Sequence, residues 1–260
     1  MKQGRKVAFA ILAVGGLIVA VACGGGGGSG VGSTPSTTVP LNNPTPTPPG
    51  SSTQTITTYA GASIGTQGTY SPSEGDTSSG GQGQTVDGIS CAPTMSNNYH
   101  VHVYLGVYVN GSQVSMPAGV GMESPGPPGV APQATPGFVN SATCYYYIHT
   151  HDQSGIVHVE DPNPNDVPVT GTLYTLQNLF DEWGITVNAN QFGPYSGPVR
   201  VFTSGQIYRG GNGDPIPATD LTYYGSEAGP IALYSHEVIF VEVGPTWPTT
   251  LPNVSFYTEY

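Results

Sequence analysis

The chain has 260 residues and few charges, with 5 Lys and Arg against 16 Asp and Glu, for a formal net charge of −11. Lys2, Arg5 and Lys6 all lie in the first 22 residues, so the rest keeps only Arg200 and Arg209 and a balance of 2 − 16 = −14. A chain with no lysine and two arginines cannot build a phosphate-binding patch, which argues against nucleic acid, nucleotides and anionic lipid surfaces as partners and in favour of a cation.

In chain order, residues 1–22 read as a signal peptide of the lipoprotein type. A basic start leads into an apolar run that ends in Ala20-Val21-Ala22 before Cys23, and the run is too short for a permanent span. Cys23 is then the expected lipidation site, with ordinary signal cleavage as the alternative. The implied location is extracytoplasmic, with the chain anchored to the cell envelope and touching the membrane through an N-terminal lipid only. Residues 23–84 are mostly Gly, Ser, Thr, Pro and Gln, a composition that predicts a disordered tether. Within it, TITTYAGAS at 55–63 is a weak strand signal.

A folded domain is expected over 85–244, followed by a Pro-rich tail at 245–260. Cys91 and Cys144 are an even pair in an oxidising compartment and predict a disulfide. Closing a loop of that length stabilises a fold by about 3–4 kcal/mol on the chain-entropy model. The alternative is thiolate ligation, which strand parity opposes: Cys144 shares a face with Tyr146 and Ile148, not with His149 and His151. From His100 to Val109 the sequence alternates, with Val101, Val103, Leu105, Val107 and Val109 on one face and His100, His102, Tyr104 and Tyr108 on the other. Asn110-Gly111 is a strong hairpin signal, and Gln113–Met116 is the returning strand. Residues 117–137 are too rich in Pro and Gly for regular structure.

Residues 149–160, HTHDQSGIVHVE, are the most informative twelve. On the strand expected at Tyr145–His151, His149 and His151 project from one face. Asp152-Gln153-Ser154-Gly155 is turn chemistry, with Gly155 supplying positive φ. A four-residue loop opposes His151 to Ile156, His149 to His158 and Tyr147 to Glu160. Parity then gathers His149, His151, His158 and Glu160 on one side, and Ile148, Val157 and Val159 on a core-facing side. Cross-strand neighbours about 5 Å apart and i, i+2 neighbours about 7 Å apart are within reach of one ion.

Further on, Thr175 is a natural N-cap, Leu176, Leu179, Phe180 and Trp183 form a helical stripe, and Gly184 stops the helix. The stripe is expected to be core, with Asp181 and Glu182 solvated. Strands are expected at Val199–Thr203, Gln206–Tyr208 and Glu237–Val243. Two hairpins, one helix and further strands predict an α+β domain, mostly antiparallel sheet with a short helix on one face. The first expectation is β-grasp-like, and the alternative is a helix-decorated β-sandwich or barrel.

Other chemistries fit poorly. GGNGDP (210–215) lacks the context of a phosphate loop, YGSEAG (224–229) lacks the spacing of a nucleophile elbow, and no HExxH motif is present. In a cupin the glutamate follows the His-x-His pair closely. Here Glu160 comes nine residues after His151.

The motifs resemble those of a family of secreted or lipid-anchored bacterial proteins. The shared features are Cys91 with the His100/His102 strand ending in Asn-Gly, PAGVGM at 117–122, HTHD-x-SG-x-x-H-x-E at 149–160, and Phe180-Asp181-Glu182-Trp183-Gly184. The resemblance covers roughly 85–244. It carries no activity with it, and implies that the histidine face belongs to the fold.

Two His-x-His pairs, each on a strand with an apolar reverse face, suit imidazole-seeking transition metals, above all copper or zinc. The expected ligands are His149, His151 and His158, with His100, His102 and Glu160 next. His236 and Asp152 are candidate supporting residues, Asp152 chiefly as a turn cap. The leading expectation is a membrane-tethered extracytoplasmic metal-binding protein that senses, buffers or carries copper or zinc. One alternative is a metalloenzyme on the same histidines with an open coordination site and Glu160 or Asp152 as general base. The other is a structural or adhesive surface module without metal, suggested by 16 tyrosines and few charges. The chain names no protein partner.

Overall fold

The computed structural model describes residues 45–58, 66–67, 80–124, 137–163, 174–206 and 215–256. The signal segment, Cys23 and the greater part of the expected Gln206–Tyr208 strand lie outside them.

The spine of the main sheet is β3 (Tyr99–Val109), preceded in the chain by β1 (Gly50–Thr58) and β2 (Thr66–Gln67). β3 alternates as its sequence does: Val103, Leu105 and Val107 are buried in one apolar cluster, while Tyr104 and Tyr108 are buried in another. At Asn110-Gly111 both residues take positive φ, 51° and 82°, and the chain returns as β4 (Ser112–Ser115), antiparallel to β3. After β5 (Met122–Glu123), the stretch expected as one strand at Tyr145–His151 is split into β6 (Cys144–Tyr145) and β7 (Ile148–His149). The split follows a change of partner, since β6 pairs with β5 whereas β7 pairs with β8 (Ile156–Asp161).

Next comes α1 (Leu176–Trp183), capped by Thr175, whose N–H donates to the Asn178 side chain, and closed by Gly184 at φ 77°. Its stripe of Leu176, Leu179, Phe180 and Trp183 is fully buried against Val103, Leu105 and Ile148 on the valine face of the sheet. The expectation that Glu182 is solvated is overturned: it is 0% exposed, and neither carboxylate oxygen has a hydrogen-bond partner among the described residues. A helix this short, packed on a broad sheet, buries more than its apolar stripe.

Beyond the helix, β9 (Val187–Asn188), β10 (Gln191–Phe192) and β11 (Tyr195–Ser196) form a small meander. β12 (Val199–Thr203), β13 (Thr222–Gly225) and β14 (Val238–Val243) then complete the main sheet. Its order is β13-β12-β14-β3-β4-β2, and β8 joins the free half of β3 with β7 outside it. β14 is parallel to β3 over Tyr104–Val109, and β8 is antiparallel over Tyr99–Tyr104, on the opposite edge. The architecture is therefore α+β and β-rich, with one short helix among the described residues and open sheets, not a closed barrel.

The boundaries expected at 84 and 244 leave out three strands, one of which, β2, pairs with β4 in the main sheet. β1 lies within the expected tether and pairs in parallel with β15 (Thr250–Phe256), which lies within the expected tail. Leu251, Val254 and Phe256 of β15 are buried against Tyr104, Phe202 and Phe240 on the tyrosine face of the sheet. Pairing segments some 200 residues apart leaves no trace in local composition, and the β-branched threonines of 50–58 were the available hint.

Candidate metal centre

Three strands, in the order β7, β8, β3, carry the centre. Opposite residues place His149 against His158 and His158 against His102, so a row of three histidines crosses the sheet. Two residues along, Glu160 faces His100. His151 lies two residues beyond the end of β7 and stacks on Phe138, with ring centroids 4.3 Å apart and planes 10° from parallel. The four-residue turn has the register expected from its sequence. Gly155 sits at φ 87°, where a Cβ would lie 2.7 Å from the Leu105 carbonyl oxygen.

The ring nitrogens and one carboxylate oxygen converge. His158 Nδ1 is 3.1 Å from both His100 Nε2 and His102 Nε2. His149 Nε2 is 3.2 Å from His151 Nε2. Glu160 Oε1 lies 3.2 Å from His100, 3.5 Å from His158 and 3.7 Å from His149. The donors fall into two overlapping groups, His149/His151/His158/Glu160 and His100/His102/His158, with all donor atoms of a group within 4.8 Å of one another. Two ligands at 2.0–2.1 Å from one ion stand roughly 3.0–3.4 Å apart for cis or tetrahedral angles, the spacing seen here. These buried His and Glu groups are compatible with a metal ion.

Backbone carbonyls set the tautomers. His149 Nδ1 donates to Tyr146 O at 2.9 Å and His151 Nδ1 donates to Val139 O. A carbonyl oxygen only accepts, so both rings carry their proton on Nδ1 and turn an Nε2 lone pair inward, as metal-bound imidazoles do. The strand bearing them is itself clamped. Thr150 exchanges backbone hydrogen bonds with Val120 and Gly119, and its hydroxyl donates to Pro117 O.

Electrostatics favour neutral rings. Burial lowers the pKa of His102 to about 3, with His100 next among the causes. Burial also lowers His151 to about 4, against the raising effect of the Val139 carbonyl. His149 and His158 are pushed well below the ordinary imidazole value, first by burial and then by the neighbouring His151. Glu160 rises to about 7 through burial. Neutral imidazoles are the protonation state a metal requires.

A cleft of about 470 Å³ opens onto His100, His151, His158 and Glu160, with Met95, Phe138 and Tyr145 among its walls. Those wall residues were not among the expected site residues. Tyr145 ends β6, whereas Met95 and Phe138 come from loops whose only sequence signals are Cys91 and Cys144, joined by a disulfide with Cα atoms 5.4 Å apart. The bridge sits beside the Ala92–Tyr145 backbone pair at the floor of the loops.

The remaining expected residues stand apart from the donor set. His236 takes φ 59°, stacks on Phe256 and donates its backbone N–H to His102 O, so it braces the histidine strand. Asp152 is buried and its Oδ1 accepts the Ser154 N–H at 2.9 Å, a turn cap. Comparison with protein-family models, curated proteins and solved structures finds no match to this chain.

Proposed function

We propose that this protein binds a copper or zinc ion outside the cytoplasm, using His149, His151, His158 and Glu160 with His100 and His102 alongside. The observation that carries the reading is the contact between His149 Nε2 and His151 Nε2 at 3.2 Å. Both rings already donate from Nδ1 to carbonyls, so two acceptor lone pairs face each other in a buried site. Lone pairs at that distance repel unless a cation lies between them, and burial disfavours a proton in that role. Imidazole donors with one carboxylate select copper and zinc over magnesium or calcium. The N-terminal signal and Cys23 support a tethered, envelope-facing protein that senses, buffers or carries the ion.

Chelation of the purified full-length chain, reloading and metal analysis test this. Stoichiometric metal is expected in the native protein, with less bound by His149→Ala/His151→Ala. An unloaded native protein under excess copper and zinc would sink the reading.

The 470 Å³ cleft favours a second reading, a metalloenzyme whose ion keeps a position open to a small molecule. Azide added to copper- or cobalt-loaded protein would shift the ligand-field bands of an open site. A closed four-ligand shell would leave them unchanged.

A further inference from the structure

We infer that the centre holds two transition-metal ions side by side, one on His149 and His151 and the other on His100, His102 and His158, with the Glu160 carboxylate shared between them. This rests on the metal-binding reading above and adds a second site to it.

Six protein donors converge, whereas zinc in proteins is almost always four-coordinate. The donors are not evenly spread. His100 Nε2 and His102 Nε2 each lie 3.1 Å from His158 Nδ1. Separately, His149 Nε2 and His151 Nε2 lie 3.2 Å apart. Each set by itself asks for a cation. In the first, one ring nitrogen meets two others, and a single lone pair or a single proton cannot pair with both at once. An ion in their midst can. In the second, two lone pairs oppose each other for the reason already given.

One ion cannot serve both sets and leave the other satisfied. His158 Nδ1 has one lone pair and so ligates one ion only. Glu160 is the group built to serve two. Its Oε1 reaches toward both sets, 3.2 Å from His100 and 3.7 Å from His149. Its Oε2 is buried with no hydrogen-bond partner among the described residues. A buried carboxylate with one oxygen unpartnered carries a desolvation cost that ligation to a second ion removes. Carboxylates bridging paired ions about 3.5–4 Å apart are a recurrent arrangement. The ions implied are divalent and imidazole-seeking. The one on the His100 side faces the cleft, because His100 is the more exposed ligand and lines its wall.

Stoichiometry is the test, using the full-length chain titrated with Zn²⁺ alone and read by isothermal calorimetry and elemental analysis after gel filtration. Two ions per chain are expected at saturation. His100→Ala/His102→Ala and His149→Ala/His151→Ala are each expected to retain one, with circular dichroism confirming the fold. One ion per native chain overturns the second site while leaving the metal-binding reading in place, and no ion overturns both. Loss of all zinc from a folded His100→Ala/His102→Ala variant also overturns the division, because it makes the six donors one shared centre. The native titration decides the matter even if a variant fails to fold.

Discussion

Glu160 of β8 stands opposite His100 on β3, and its Oε1 lies 3.2 Å from the His100 ring and 3.7 Å from His149 on β7, the strand on its other side. One carboxylate thus touches both His-x-His pairs. This places Glu160 at the hinge of any metal chemistry, and it follows from a chain of registers: β7 on β8, then β8 on β3.

Metal should therefore stabilise the fold, by an amount that grows with the logarithm of its free concentration once the sites are filled. With free Zn²⁺ at 100 times the dissociation constant, linkage adds about 2.7 kcal/mol per site. Differential scanning fluorimetry should show a higher melting temperature with zinc than with chelator in the native chain, and a smaller difference in His149→Ala/His151→Ala, which keeps only one site.

The buried Glu182 should make stability depend on pH. Burial first, then the charges of Asp87 and Asp181, raises its folded-state pKa well above the ordinary carboxylate value. The folded state therefore holds the proton after the unfolded chain has released it. Its favourable contribution is complete below the unfolded pKa, about 4.3, and is lost as pH rises toward the folded pKa, by at most about 1.4 kcal/mol per pH unit. Urea titrations of Glu182→Gln should show a flatter pH dependence than the native chain and greater stability at pH 8. An unchanged slope would mean that Glu182 ionises freely in the fold.

Breaking the disulfide should cost about 3–4 kcal/mol, since it closes a loop of 53 residues. Because the same bridge anchors the loops that wall the cleft, Cys91→Ser/Cys144→Ser should also release metal to a chelator faster than the native chain. Denaturation curves and chelator kinetics separate the two effects.

Gly155→Ala should destabilise by roughly 1–3 kcal/mol, because alanine at φ 87° is strained and its Cβ would press on the Leu105 carbonyl. A turn that relaxes by shifting one residue would swing His158 and Glu160 to the core face, so zinc binding should weaken together with stability. Full zinc affinity in this variant would show that the turn does not set the register.

Much of the centre was legible because strand geometry is local. The period of two put His149 and His151 together, and the turn chemistry of Asp152–Gly155 set the pairing with His158 and Glu160. The alternation from Val101 to Val109 likewise separated the core face from the histidine face. Glu182 misled because its neighbours Asp181 and Gly184 suggest a solvated edge, while the sheet beneath the helix covers it completely. Met95 and Phe138 were invisible for a different reason. A loop side chain becomes a cleft wall only when the disulfide and the Ala92–Tyr145 pair fold its loop over the sheet.

By itself the amino-acid sequence determined the β-rich α+β class, the helix with its Thr175 and Gly184 caps, and the His149–Glu160 hairpin. All of these depend on neighbours a few residues apart. Only the tertiary structure decided that β8 lies between the two His-x-His strands, that the Val139 carbonyl orients His151, and that β1 pairs with β15. Those contacts join segments that nothing in local periodicity relates. They form because the valine and tyrosine faces of β3 must both be covered, and covering them brings six metal-seeking donors to one end of the sheet.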